Sequence, residues 1–154
     1  MSKKQKPGSH RAQPTPQWQP IARLPALHHH LSGMLEAGEE QYQNLLEAKP
    51  KPWMLDDYTI NRVIKAFTGW KRDVPLFEAQ EQRWERQAET DAQRAELEQM
   101  RQVLVKLRQV TENVLTLSEE LKRGTLERQL AKSDAELGLE VLLRGFPTRE
   151  KRGL

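Results

Sequence analysis

The side chains best suited to chemistry in this chain are its four histidines, and their spacing argues against a reactive centre. His10 stands alone near the N-terminus, and His28, His29 and His30 are consecutive. Successive residues on a helix point about 100° apart, so three in a row do not converge on one metal ion as an i, i+4 pair does. The chain has no cysteine. Thiolate ligands and disulfides are thereby excluded, which fits a reducing, cytoplasmic setting. No Walker loop, dinucleotide-binding glycine pattern or H-E-x-x-H sequence occurs. Acids are abundant, but they fall on amphipathic helical patterns, where carboxylates are solvated faces and form no acid–base pair. The expectation is a non-enzymatic protein with no cofactor, no metal site and no small-molecule substrate.

Charge offers a second kind of chemistry. The net charge of +3 hides an asymmetry: residues 1–25 hold +5 from Lys3, Lys4, Lys6, Arg11 and Arg23, and residues 144–154 hold +3, leaving −5 on the body between them. Lys3, Lys4, Lys6 and Arg11, with Arg62, Lys65 and Arg72 further on, are the candidate nucleic-acid contacts. Six of the nine aromatic residues also fall within 53–84, namely Trp53, Tyr58, Phe67, Trp70, Phe77 and Trp84. Cations interleaved with rings can meet phosphates and stack bases. Phe67 and Trp70, however, stand on an apolar helical stripe, where packing explains them without a ligand. Any nucleic-acid binding is expected to be weak and independent of sequence, because nothing resembles a base-reading element.

These side chains must be positioned by helices. Residues 1–20 are rich in Lys, Gln, Pro, Ser and Gly and read as a disordered basic tail in which only Trp18 could bury. A two-helix segment follows over 21–72. Its first helix, about 25–48, carries Leu24, Leu27, Leu31, Met34, Leu35, Tyr42, Leu45 and Leu46 on one stripe. Gly33 and Gly38 weaken its middle and admit close contact with another helix. The Lys49-Pro50-Lys51-Pro52 link is stiff. A second helix opens at the capping acids Asp56 and Asp57 and runs to about residue 72.

One long helix is expected over 73–123, opened by Asp73 and Pro75 and closed by Gly124. Its first part is polar nearly all round. From 97 to 121, Leu97, Met100, Leu104, Leu107, Val114 and Leu121 keep a/d spacing while Val110 and Leu117 widen the stripe. So broad a face suits a three- or four-helix arrangement, and it exceeds what the first helix alone covers. A C-terminal helical segment over 125–146 follows, with a capping box at Ser133-Asp134-Ala135-Glu136 and Pro147 as a stop, and then a basic tail over 147–154. Leu139, Leu142 and Phe146 belong to a helix whose apolar residues point in several directions.

The fold expectation is therefore all-α: an extended helical protein with one long central helix, packed as a hairpin, bundle or coiled coil. No run of about 18 apolar residues suggests a membrane span. The functional expectation is an adaptor or accessory subunit that assembles with a protein partner or with itself. The interface residues would be Leu97, Met100, Leu104, Leu107, Val110, Val114, Leu117, Leu121, Leu139, Leu142 and Phe146. A nucleic-acid-binding accessory protein is the alternative.

Overall fold

The computed structural model describes residues 16–144. They form three helices: α1 (Leu24–Ala48), α2 (Asp57–Gln87) and α3 (Asp91–Arg144), with single 3-10 turns at Ile21–Arg23 and Pro52–Met54. The fold is all-α, with three helices packed against one another.

Each helix buries a seam of seven-residue spacing. In α1 it is Leu24, Leu31, Gly38 and Leu45; in α2 it is Ile60, Phe67, Val74 and Glu81. In α3 the steps alternate three and four through Leu97, Met100, Leu104, Leu107, Thr111, Val114 and Ser118. Such spacing keeps one face of each helix toward its neighbours along their full overlap. Polar partners across the seams set direction. His28 and Gly38 of α1, and Lys49 just past its end, meet Glu96, Val110 and Glu120 of α3, so these two helices run parallel. Glu85, Glu78 and Lys71 of α2 meet Arg101, Arg108 and Glu112, so α2 runs antiparallel to both. The topology is up–down–up.

The helix boundaries differ from the sequence expectation, for physical reasons. No helix starts at Asp73. α2 runs through Pro75 to Gln87, because Val74, Phe77, Glu81 and Trp84 prolong the seam begun by Ile60, Val63, Phe67 and Trp70. Pro75 is exposed, so the carbonyl it leaves without a partner can be hydrated, and continued burial outweighs the lost bond. The chain instead reverses at Ala88–Thr90, inside the stretch read as uninterrupted polar helix. There Gln93 N–H donates to Thr90 Oγ1 at 3.0 Å, and Gln93 Oε1 accepts from the backbone of Glu89 and Thr90. This is a capping box, satisfying backbone donors at both ends of the turn. At the start of α2, Asp56 accepts from Thr59 N–H at 2.8 Å, which holds its carboxyl below its ordinary range.

α3 likewise passes straight through two expected interruptions. Gly124 lies within it, followed by Thr125, which is buried and returns a hydrogen bond to the Leu121 carbonyl. Ser133 and Glu136 lie mid-helix, so they form no capping box. At about 1.5 Å per residue, α3 is roughly 80 Å long. Its last 19 residues, 126–144, form an arm whose first turn still touches the bundle, Gln129 Nε2 donating to Asp57 Oδ2 at 3.4 Å, and whose remainder extends past it.

The expected tail over 1–20 lies outside the described residues up to 15. Residues 16–20 are extended and anchored. Trp84 Nε1–H donates to the Gln19 carbonyl at 2.9 Å, Gln19 N–H donates to Gln80 Oε1 at 2.7 Å, and the Arg83 guanidinium stacks over Trp18. The 147–154 tail also lies outside the described residues.

Candidate interaction surfaces

The structure separates the expected interface residues into two groups. Leu97, Met100, Leu104, Leu107, Val110, Val114 and Leu117 are buried within the chain, and Leu121 is half-buried against the same core. They are the interior of the bundle, and no free assembly face. The correction has a direct cause: α2 continues fifteen residues past Arg72, to Gln87, and becomes the second helix that covers the broad α3 stripe. The three-helix arrangement that its width called for is met within one chain. Leu139 and Leu142 have the opposite fate, at 55% and 74% exposed. Phe146 lies outside the described residues.

The arm carries seven exposed large apolar side chains. Leu126, Leu130, Leu137, Leu139, Val141, Leu142 and Leu143 are all between 46% and 77% exposed. Single exposed leucines are ordinary, but here Leu126, Leu130, Leu137 and Val141 share one face while Leu139, Leu142 and Leu143 lie on others, an exposed apolar density of the kind that marks an interaction site. The sequence signal for it was a four-residue and eleven-residue spacing among Leu126, Leu130, Leu137 and Val141, hidden once helix boundaries were drawn at Gly124 and Ser133. At the bundle end from which the arm leaves, Trp53 and Met54 are also exposed, as is Tyr58 on the first turn of α2.

The outer face of α2 holds the basic candidates. Arg62, Lys65 and Arg72 are exposed along an open groove with Tyr58 and Asn61. The Arg62 guanidinium lies 5.8 Å from the centre of the Tyr58 ring, and Arg72 is paired with Asp73 at 3.1 Å. Phe67 and Trp70 pack with ring centroids 4.2 Å apart, against Gly38. Tyr58 is exposed beside the cations, and half-buried Trp70 also lines the groove, whereas Phe67 is buried. Lys3, Lys4, Lys6 and Arg11 lie outside the described residues.

The three consecutive histidines enter three environments. His28 donates from Nδ1 to Glu96 Oε2 at 3.0 Å, His29 is exposed, and His30 meets the edge of Phe77. Among the described residues, no three His, Asp or Glu side chains are grouped to hold a metal ion.

One titratable group stands apart. Glu81 occupies a core position of α2 and is 3% exposed, and its Oε2 has no hydrogen-bond partner. Burial, then a hydrogen bond to Glu85 and repulsion from it, push its carboxyl up to about 8; Arg101 partly offsets this and Glu98 adds to it. A charged residue type at a seam position was visible in the sequence, but only once the seam is carried through Pro75. Perturbed carboxyls gather at functional sites. Here the neighbours are structural ion pairs: Arg101 bonds Glu85 at 2.9 Å and also pairs with Glu98. The buried Glu81 carboxyl can gain and lose a proton between α2 and α3.

Comparison with known proteins adds no relative: no family model, curated protein or solved structure matches the chain.

Proposed function

We propose that this chain is a non-enzymatic helical interaction protein, an adaptor or accessory subunit whose bundle presents the α3 arm to protein partners. The observation that carries this reading is the set of seven exposed apolar side chains from Leu126 to Leu143 on the arm of α3. A helix with apolar anchors is a recognised form of ligand for grooves and other helices. The bundle gives it a rigid base, since α3 is continuous from the core into the arm. Among the described residues, five ion pairs link the helices of the body, Glu96–His28 and Glu120–Lys49 on one side of α3 and Glu112–Lys71, Arg108–Glu78 and Arg101–Glu85 on the other, a supporting arrangement for a scaffold. No described helix is long and apolar enough to cross a membrane, and the absence of cysteine suits a cytoplasmic setting.

The test is capture. Full-length chain with an affinity tag is used to purify partners from the native host, alongside a Leu139→Glu, Leu142→Glu variant. Proteins that co-purify with the first and not the second support the reading. Identical profiles for the two would refute the arm as the contact.

A second reading, nucleic-acid binding, is favoured by one observation, the exposed Arg62 and Lys65 beside Tyr58. Phosphate contacts release counterions, so such binding falls steeply as salt is raised. Retention on heparin that is lost well below about 0.15 M salt, and is unaffected by Arg62→Ala with Lys65→Ala, would leave this surface without a role.

A further inference from the structure

We infer that the α3 arms of two copies of this chain pair antiparallel, about a two-fold axis that passes between Ser133 and Asp134. This deepens the proposed function by naming the arm's partner as a second copy.

The first support is the spacing of the exposed apolar residues. Leu126, Leu130, Leu137 and Val141 stand at i, i+4, i+11 and i+15. At 100° per residue they share a sector about 60° wide. The pattern reads the same in either direction: Leu126 and Val141 are equidistant from the midpoint between Ser133 and Asp134, and so are Leu130 and Leu137. Laying two such helices antiparallel sets Leu126 of each chain against Val141 of the other, and Leu130 against Leu137. That is the self-complementarity an isologous contact requires. Eleven residues drift by only about 20° on an ideal helix, so over this short overlap the stripes stay in register with a slight right-handed twist.

The second support is charge. Residues 121–132 carry Lys122, Arg123, Arg128 and Lys132 against Glu127, a net +3; residues 133–143 carry Asp134, Glu136 and Glu140 and no base, a net −3. An antiparallel pair lays the basic half of each arm along the acidic half of the other. A parallel pair would stack like on like, which is unfavourable along the whole contact.

The third is access. The seam that buries α3 passes through Leu121 and Thr125 and onward through Arg128 and Lys132, whereas Leu126, one residue past buried Thr125, is 55% exposed. The palindromic stripe thus lies on a different face from the one α1 and α2 occupy, and a second arm can dock without displacing either. The overlap of 126–141 spans roughly 24 Å, short of a standard protein interface, so the dimer is reversible and concentration-dependent.

The experiment uses the full chain, which has no cysteine of its own. Light scattering after size exclusion, over about 1 to 200 µM, should show a monomer passing to a dimer. Leu130→Glu or Leu137→Glu should hold the chain monomeric throughout. In dilute protein, where wild type is monomeric, helix content and unfolding temperature should be unchanged, since both side chains are exposed. An equimolar mixture of Leu130→Cys and Leu137→Cys chains, oxidised at the high end of that range, should give the 130–137 disulfide by peptide mass spectrometry. A wild-type monomer at every concentration overturns the proposal, as does a dimer that survives Leu130→Glu. Leu130→Cys chains that bond to one another would place the arms parallel and overturn it too. A monomer that still loses a host protein on Leu139→Glu, Leu142→Glu substitution would sink the arm pair and leave the interaction-protein reading standing.

Discussion

A Cβ atom placed on Gly38 of α1 would lie 3.0 Å from Cγ1 of Val110 on α3, closer than such atoms normally pack. It would also lie 3.1 Å from Cζ3 of Trp70 on α2, so this one glycine is where all three helices meet. Gly33, five residues earlier on the same helix, faces nothing within 4 Å.

The two glycines should therefore respond with opposite signs. Gly38→Ala should destabilise the bundle by about 1–3 kcal/mol through overpacking, despite the better helix propensity of alanine. Gly33→Ala should stabilise it by up to about 1 kcal/mol, because propensity acts there without a clash. Urea unfolding of both variants reads the difference directly. A stabilised Gly38→Ala would show that α1 can move off α3 at little cost.

Glu81 gives stability a pH dependence of unusual direction. In the folded chain it keeps its proton up to about pH 8, while its ordinary value is 4.5. Between those values the unfolded state binds fewer protons, so this contribution is complete below 4.5 and is lost as pH rises through about 8. Glu85 on the same helix and Glu98 and Arg101 on α3 are the charges that act on it. Glu81→Gln should flatten the stability–pH curve over pH 5–9 and make the variant the more stable of the two at the alkaline end. Parallel curves for wild type and Glu81→Gln would contradict the buried, protonated carboxyl.

Two segments of matching pattern should behave differently when their caps are removed. Thr90→Ala takes away the oxygen that receives Gln93 N–H and should cost about 0.5–2 kcal/mol. Ser133→Ala, within the exposed arm, should be neutral or slightly stabilising, since alanine is the better helix former there. Thermal unfolding of each variant separates a true cap from a look-alike.

Core and arm leucines divide in the same way. Leu107 is fully buried, and Leu107→Ala should cost about 2–5 kcal/mol. Leu137 is 60% exposed, and Leu137→Ala should leave the unfolding midpoint of dilute, monomeric protein within about 0.5 kcal/mol of wild type. Equal losses at both positions would mean that the arm folds back onto the bundle in solution.

What the sequence by itself determined was the helical character and the seams. Leucine at three- and four-residue steps over 97–121 marks a buried face whatever surrounds it, and Asp56 announces a helix start because its side chain serves the backbone locally. The tertiary structure decided where helices end. Thr90-Asp91-Ala92-Gln93 and Ser133-Asp134-Ala135-Glu136 offer the backbone nearly the same local cap, yet only the first is used. A reversal at 88–90 folds α2 back so that its seam, ending in Trp84, faces the α3 seam that starts at Leu97, burying both. Among the described residues no helix lies beside 133 to reward a break, so α3 runs on. Pro75 is the converse case, a local stop overridden because Val74 and Phe77 on either side of it both pack on the core. Local propensities here are worth about 1–3 kcal/mol each, and a few buried side chains outweigh them.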